Sequence, residues 1–382
     1  MPEFFNFVIL LPVYPPSFCF SFTSTIQQNC LTLLLLLLVP IFFNLNKKSQ
    51  VSYHPSISET PERFEKNKIR KMGGGGGADK PSRGLVLFGG GMARFVNQSH
   101  IHLHSLAAKS LCGFLSLPHF PENVDDATVG EFLNLIDAYE DYTTLSGDSQ
   151  GKCITPSISE RFMGVRAALI TENTRLKSCG SQLGFSVLQP NELINNNCSL
   201  VDSPVNLAAI ELLNLLGFQD EKVLDTSQFD LVFMHVGSHQ ETISKGTEYV
   251  NALVGEIISI AEPKSQIGSR LHLSVVLTYG DISKDDASNF LISNKSKIIQ
   301  SGFASLYPRQ SYTMKGSNLR NNVRDYCPML LAQWQDAVTR KDMVETFSFQ
   351  DFMENGGNLT IPADRFLHEV SFKLWKAPKY GA

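Results

Sequence analysis

From Gly84 onward the chain alternates short, wholly apolar runs with amphipathic stretches. Apolar runs of strand length without polar alternation belong to strands covered on both faces, and the helices between them are what a parallel sheet needs to bring the chain back. Leu85-Val86-Leu87-Phe88 reads as the first strand and ends in Gly89-Gly90-Gly91. Val165 to Thr171 is the second; Asn173 then stands where it can cap a helix running to Gly180 or Gly184, and Phe185 to Leu188 is the next strand. Ser203-Pro204 predicts the start of the strongest helix, with Ser as N-cap and Pro at the first helical position. Its apolar face runs through Leu207, Ile210, Leu213, Leu215 and Leu216, and Gly217 stops it. Gln228 to Val236 predicts a strand, Thr247 to Ala261 a helix and Leu271 to Thr278 a further strand. Pro362 to Trp375 predicts a closing helix, with Asp364 early and Lys373 and Lys376 late, in the sense the helix dipole favours.

The expected fold is therefore α/β: a three-layer α/β/α sandwich with a mostly parallel central sheet. Strands 85–88, 165–171, 229–236 and 271–278 lie at its centre, within a domain reaching from 84 to about 300. No linker composition interrupts 84–382, so one domain with a C-terminal helical excursion is preferred to two.

Residues 1–71 read differently. Phe, Leu, Ser and Pro dominate the first 45, and no basic residue precedes Lys47. A pyrimidine-rich untranslated leader read in frame gives this mixture, and Met72, followed by the run Gly73 to Gly77, is a plausible second start. The competing expectation is a short membrane anchor over 30–45, an apolar stretch interrupted by Pro40 and shorter than the roughly 20 residues a membrane helix asks for. A targeting peptide lacks its charged start. Residues 1–71 are expected not to pack on the domain, and 72–83 to form a flexible glycine-rich segment without a phosphate-loop signature. The protein is then expected in the cytoplasm if translation starts at Met72, and at a membrane if the leader is translated.

Charge and cysteine usage narrow the partners. The formal net charge is -4, and from Met72 onward acidic side chains outnumber basic ones 33 to 26. Nucleic acid, which is met by a basic excess, is excluded as an expected partner. Seven cysteines without a C-x-x-C pair speak against a disulfide framework and against a zinc knuckle. No Gly-x-Ser-x-Gly elbow occurs in the folded part.

Candidate chemistry gathers where strands end, because open α/β sheets place ligands at the carboxyl ends of their strands. Gly89-Gly90-Gly91-Met92-Ala93-Arg94 follows the first strand; Arg94 stands where a dinucleotide loop wants its last glycine, so Gly90 and Arg94 are kept as facing a small anion instead. His100, His102 and His104 alternate, which on an extended segment would align them on one face at a metal-binding spacing, with no carboxylates nearby. His235, His239 and Glu241 follow the strand 228–236, and Asp281 follows the strand 271–278. Together these could form a hard-metal or general acid/base cluster. The strand ends are expected to converge, bringing Gly90, Arg94, His235, His239 and Asp281 to one cleft.

The order of segments resembles the alkaline-phosphatase-like superfamily, and in particular its cofactor-independent phosphoglycerate mutases. The resemblance rests on Gly84 to Arg94, His102-Leu103-His104-Ser105-Leu106-Ala107, Cys112-Gly113-Phe114-Leu115, Val165 to Thr171, Leu183-Gly184-Phe185, Phe229 to Val236 and Asn251 to Ile258. From Met72 on, the chain also resembles a family of plant proteins. The superfamily resemblance implies the sandwich fold and a two-metal phosphotransferase site, and the site residues depart from it. The first metal-binding Asp falls on Gly89-Gly90-Gly91, and the later ligands fall on Gln240 and Ser244. The Asp-His pair after the next strand leaves only Asp281, and no Ser-Asp nucleophile occurs between 114 and 140. The expectation is a catalytically degenerate domain without a cofactor, binding or scaffolding a protein or a small anion. Its rival is a hydrolase or phosphotransferase that has rebuilt its site around Mn or Zn.

Overall fold

Leu85, Val86, Leu87 and Phe88 are all at or near zero exposure, which only a strand covered on both faces achieves. They belong to the first strand of the domain in a computed structural model that describes residues 80–117, 127–141, 156–194, 199–237, 243–280, 314–315, 318–320, 326–356 and 359–378. The chain divides into two units, Met1–Gly73 and Gly74–Ala382, and the described residues all fall in the second. The expectations for residues 1–71, for the apolar stretch 30–45 and for the glycine run lie outside the described residues. Among the described residues no helix is long and apolar enough to cross a membrane.

The elements follow in chain order. β1 (Arg83–Gly89) leads through a 3-10 turn (Met92–Phe95) to α1 (Ile101–Ala107), β2 (Leu111–Ser116) and α2 (Ala127–Leu135). Then come α3 (Ile158–Arg161), β3 (Ala167–Ile170), α4 (Thr174–Gln182), β4 (Ser186–Leu188) and α5 (Pro190–Ile194). After α6 (Val205–Leu215), the small pair β5 (Phe218–Gln219) and β6 (Lys222–Val223) precedes β7 (Leu231–Val236), α7 (Ile243–Ile260) and β8 (Leu271–Thr278). The last part holds β9 (Met314–Lys315), β10 (Asn318–Leu319), β11 (Met329–Trp334), α8 (Phe349–Asn355), β12 (Leu359–Pro362) and α9 (Phe366–Lys373).

Eight strands form one sheet in the order β12-β2-β11-β8-β1-β7-β3-β4. β11 runs antiparallel to β8 and to β2, and the other neighbours are parallel. All four strands expected at the centre lie in this sheet. Side chains alternate across it: Leu85 and Leu87 join one apolar layer with α1, α6, α7 and α8, while Val86 and Phe88 join the other with α2, α3, α4 and α9. This is the α/β/α sandwich with a mostly parallel sheet that the hydrophobic pattern predicts.

Several details differ. Asn173 caps α4 as expected, its side chain accepting from Leu176 N–H, but α6 is capped by Pro204 without a side-chain bond. Ser203 faces the core instead, its hydroxyl 3.1 Å from the Tyr249 hydroxyl. The buried face of α6 is Ala208, Ala209, Leu212, Leu213 and Leu216, whereas Leu207 and Ile210 are 44% exposed. The small alanines let this helix lie close to its neighbours, turning the larger Leu207 and Ile210 outward. The closing helix is shorter than expected: Pro362 ends an edge strand, Leu359–Pro362, beside β2, Ala363–Arg365 forms a 3-10 turn, and the α-helix runs only from Phe366 to Lys373. The stretch taken as a helical excursion thus contributes two strands to the main sheet, β11 at its middle and β12 at its edge, so the sheet is completed beyond residue 300.

Candidate functional site

β1, β3, β7 and β8 run in one direction, so the segments after Gly89, Ile170, Val236 and Thr278 all emerge at the same edge of the sheet. Register fixes how they meet: Gly89 pairs with Val236 on one side and Leu277 on the other, and Phe88 pairs with His235. Of the candidate residues, Gly90, Arg94 and His235 are placed at or near this edge. His239, Glu241 and Asp281 lie outside the described residues.

The chain leaves β1 through glycines for steric reasons. Gly91 has φ +70° and caps the 3-10 turn, in the left-handed region that favours glycine. A Cβ on Gly90 would stand 2.9 Å from Thr128 Oγ1, and one on Gly280 would stand 3.0 Å from the Gly91 Cα. The end of β1, the first turn of α2 and the end of β8 are therefore in direct contact.

Hydrogen bonds lock these ends together. Thr278 Oγ1 accepts from Gly91 N–H at 3.0 Å and from Gly280 N–H at 3.2 Å, and donates to Glu131 Oε2 at 2.9 Å. The hydroxyl is saturated, with both lone pairs and its proton engaged. Glu131, on α2, is a carboxylate only 3% exposed, which requires such partners in the interior.

His235 belongs to the same region but faces the core. By alternation it shares the face of Phe233 on β7, its ring centroid lies 5.5 Å from that of Phe88, and it is 2% exposed. Its Nδ1 shares a 2.9 Å hydrogen bond with Thr171 Oγ1, which also accepts from Asn173 N–H at 3.1 Å. Arg94, on the turn after β1, is exposed. Ser244, at the position of a lost ligand in the family resemblance, is exposed in the first turn of α7.

The alternating histidines do not form a metal site. Residues 101–107 are helical, so positions two apart point to different sides rather than sharing a face. His100 Nδ1 accepts from Asn97 N–H at 3.0 Å. The His102 ring packs against Gly255 of α7, where a Cβ would stand 2.7 Å away. His104 bridges Phe347 N–H and the Asn97 carbonyl, both at 3.0 Å. Each ring has its own structural partner.

Sequence reasoning missed Thr128, Glu131, Thr171 and Thr278. Thr171 and Thr278 close strands that the apolar pattern did locate, and a hydroxyl ending a buried strand was the available signal. Glu131 offered one as well, a lone acid among the apolar residues Val129, Phe132, Leu133 and Leu135. Among the described residues no group of three or more His, Cys, Asp or Glu is arranged to hold a metal ion.

Searches against protein-family models find none that matches the chain, and no curated protein matches it, so the expected kinship with plant proteins has no support. Solved structures do resemble it. The PH0037 protein from Pyrococcus horikoshii is 13% identical, over 79% of this chain and 99% of that one, with a TM-score of 0.46. The lipoteichoic acid synthase LtaP from Listeria monocytogenes is 13% identical, over 74% and 78%, with a TM-score of 0.43. A cofactor-independent phosphoglycerate mutase from Thermoplasma acidophilum is 9% identical, over 77% and 99%, with a TM-score of 0.40. The likeness runs to alkaline-phosphatase-superfamily structures, including the mutases that the sequence resembles. At these identities and scores it assigns the chain neither a ligand nor a reaction.

Proposed function

We propose that this chain is an alkaline-phosphatase-like domain that holds a protein partner or a small anion at the carboxyl edge of its sheet without turning over a phosphoester. The observation that carries the reading is the contact between Gly90 and Thr128, where even a Cβ would stand 2.9 Å from the hydroxyl oxygen. At Gly90 the strand end that a two-metal site needs for a carboxylate presents backbone, and a side chain there would have to displace Thr128. The donors nearby are already engaged: Thr278 ties Gly91 and Gly280 to Glu131, and His235 is bonded to Thr171 beneath Phe88. Two hard cations need several anionic oxygens between them, and among the described residues the carboxylates of Glu131 and Glu172, the threonine hydroxyls and a buried imidazole form no cluster arranged to hold a metal ion. Arg94 adds a fixed positive charge, which suits an anion better than a metal.

A second reading is favoured by the Thr128 hydroxyl, which sits beside the end of β1 at the start of α2. It is a hydrolase or phosphotransferase rebuilt around that hydroxyl, with His235, His239, Glu241 and Asp281 holding Mn or Zn. Equilibrium dialysis of the full chain against Mn and Zn separates the two. The binding reading expects no saturable metal site sensitive to His239→Ala; a site near one ion per chain that this substitution removes would establish the rebuilt one.

A further inference from the structure

The opposite edge of the sheet holds a second cleft. Arg83 begins β1, Arg166 precedes β3, Asp230 precedes β7 and Arg270 precedes β8, and these residues line a cavity of about 350 Å³. β1 has seven residues, which puts this cavity about 20 Å from the edge that carries Gly90 and Thr278.

Its charge is unbalanced. Lys80, Arg83, Arg166, Arg270 and Lys376 line it against two carboxylates, Asp225 and Asp230. Asp230 is taken: Arg166 donates to it through the guanidinium at 2.6 and 3.3 Å and through the backbone N–H at 3.0 Å, and Lys376 stands 3.5 Å away. Asp225 is 95% exposed and faces Lys80 at 3.7 Å, a solvated pair that neutralises little. Arg83 is 7% exposed, and its guanidinium donates to the carbonyls of Leu216, Gly217 and Leu224 at 2.7, 2.8 and 2.5 Å. Three of its five N–H groups are engaged in this way, and Asp230 and Asp225 offset only part of its charge, without a direct ion pair among the described residues.

Arg270 is less well served. Its Nε is buried without a hydrogen-bond partner, and among the described residues no carboxylate pairs with it. Burial and the adjacent Arg270 both press the Arg83 pKa downward, and burial does the same to Arg270. Two guanidiniums held side by side in a partly dry cavity are a cost that a bound anion would offset. Ser227 Oγ accepts from Arg166 at 3.2 Å, which leaves the hydroxyl proton available to a ligand. Val223, Leu224 and Leu374 give the cavity an apolar wall.

We infer that this cavity binds an organic phosphomonoester, its dianionic head toward Arg270 and Arg83 and its apolar body along Val223, Leu224 and Leu374. The charge surplus suits a dianion better than a carboxylate, and the apolar wall favours an ester over free phosphate. The site is separate from the carboxyl edge of the sheet and stands or falls independently of the function proposed there.

Calorimetric titration of the full chain with phenylphosphonate, a non-hydrolysable dianion at about pH 8, tests it. Saturable binding is expected, weakened roughly tenfold by Arg270→Gln and at least about threefold by Lys80→Glu. Lys245→Gln, at an exposed position in the first turn of α7, leaves it unchanged. Absence of saturable binding to the wild-type chain overturns the inference, as does binding that responds to Arg94→Gln and not to Arg270→Gln or Lys80→Glu. Should Arg270→Gln fail to fold, Lys80→Glu decides alone, because Lys80 is 67% exposed and its replacement leaves the core intact; an undiminished affinity then sinks the site.

Discussion

Thr278 donates its hydroxyl proton to Glu131 over 2.9 Å and accepts from two backbone N–H groups, so one threonine joins β8, α2 and the turn after β1. Thr278→Val keeps the shape and leaves these three groups without that partner, an expected loss of roughly 2–4 kcal/mol. Glu131→Gln keeps an acceptor and is expected to lose less, under about 1.5 kcal/mol. Urea unfolding of both variants measures the difference, and a Thr278→Val chain as stable as wild type would show that this hydroxyl does not hold the edge together.

The contact of Gly90 with Thr128 predicts a coupled pair. Gly90→Ala places a methyl 2.9 Å from Thr128 Oγ1, with an expected cost of about 1–3 kcal/mol from overpacking. Adding Thr128→Ala removes the obstacle, so the double variant is expected to recover about 1 kcal/mol relative to the sum of the singles. A double-mutant cycle that is simply additive would mean the two residues do not compete for that space.

His272 predicts an acid-sensitive core. The ring is 1% exposed on β8, and burial, helped by nearby Lys373, pushes its pKa down from 6.5 to about 4. The folded chain keeps the imidazole neutral where the unfolded chain protonates it, so the unfolded state binds more protons between these values. The stability contribution is fully present above about pH 6.5 and is lost as the pH falls toward 4, by up to about 3 kcal/mol. His272→Leu is expected to flatten this part of the stability profile in urea unfolding; an unchanged slope would place the acid sensitivity elsewhere. Asp230 acts in the same direction at lower pH: burial opposes its ionisation, but the hydrogen bonds from Arg166 and the charge of Lys376 outweigh that and lower its pKa.

Arg320 and Asp364 make a two-bond ion pair with side chains only 15% and 9% exposed, one bond 2.8 Å long. It fastens the segment beside β10 to the start of α9. Asp364→Ala leaves a guanidinium without its carboxylate in a partly buried setting, expected to cost about 3–5 kcal/mol. Replacing both residues together is expected to cost less than Asp364→Ala alone, and the opposite ranking in thermal melts would contradict the clamp.

What could be read without the structure follows from burial. β1, β7 and β8 are legible because both faces are covered and the apolar run is unbroken. β11 has the sequence Met-Leu-Leu-Ala-Gln-Trp, made mostly of good helix formers, so only its neighbours β8 and β2 define it as a strand. The histidines at 100–104 alternate on paper, but helix α1 separates them, because period-two reasoning holds only for extended chain. The candidate site was half legible. Strand ends and their glycines announce where the edge lies, whereas Thr278 and Glu131 lie 147 positions apart and only the packing of α2 against the ends of β1 and β8 unites them.

The central claim is that the carboxyl edge binds without phosphoester turnover, and hydrolysis of p-nitrophenyl phosphate by the full chain, with and without chelator, tests it most directly. The account predicts no hydrolysis above background in the presence of added Mn or Zn, and no change when a chelator is added. Steady turnover that chelator abolishes, and that Asp281→Ala removes from a chain still folded, would contradict it.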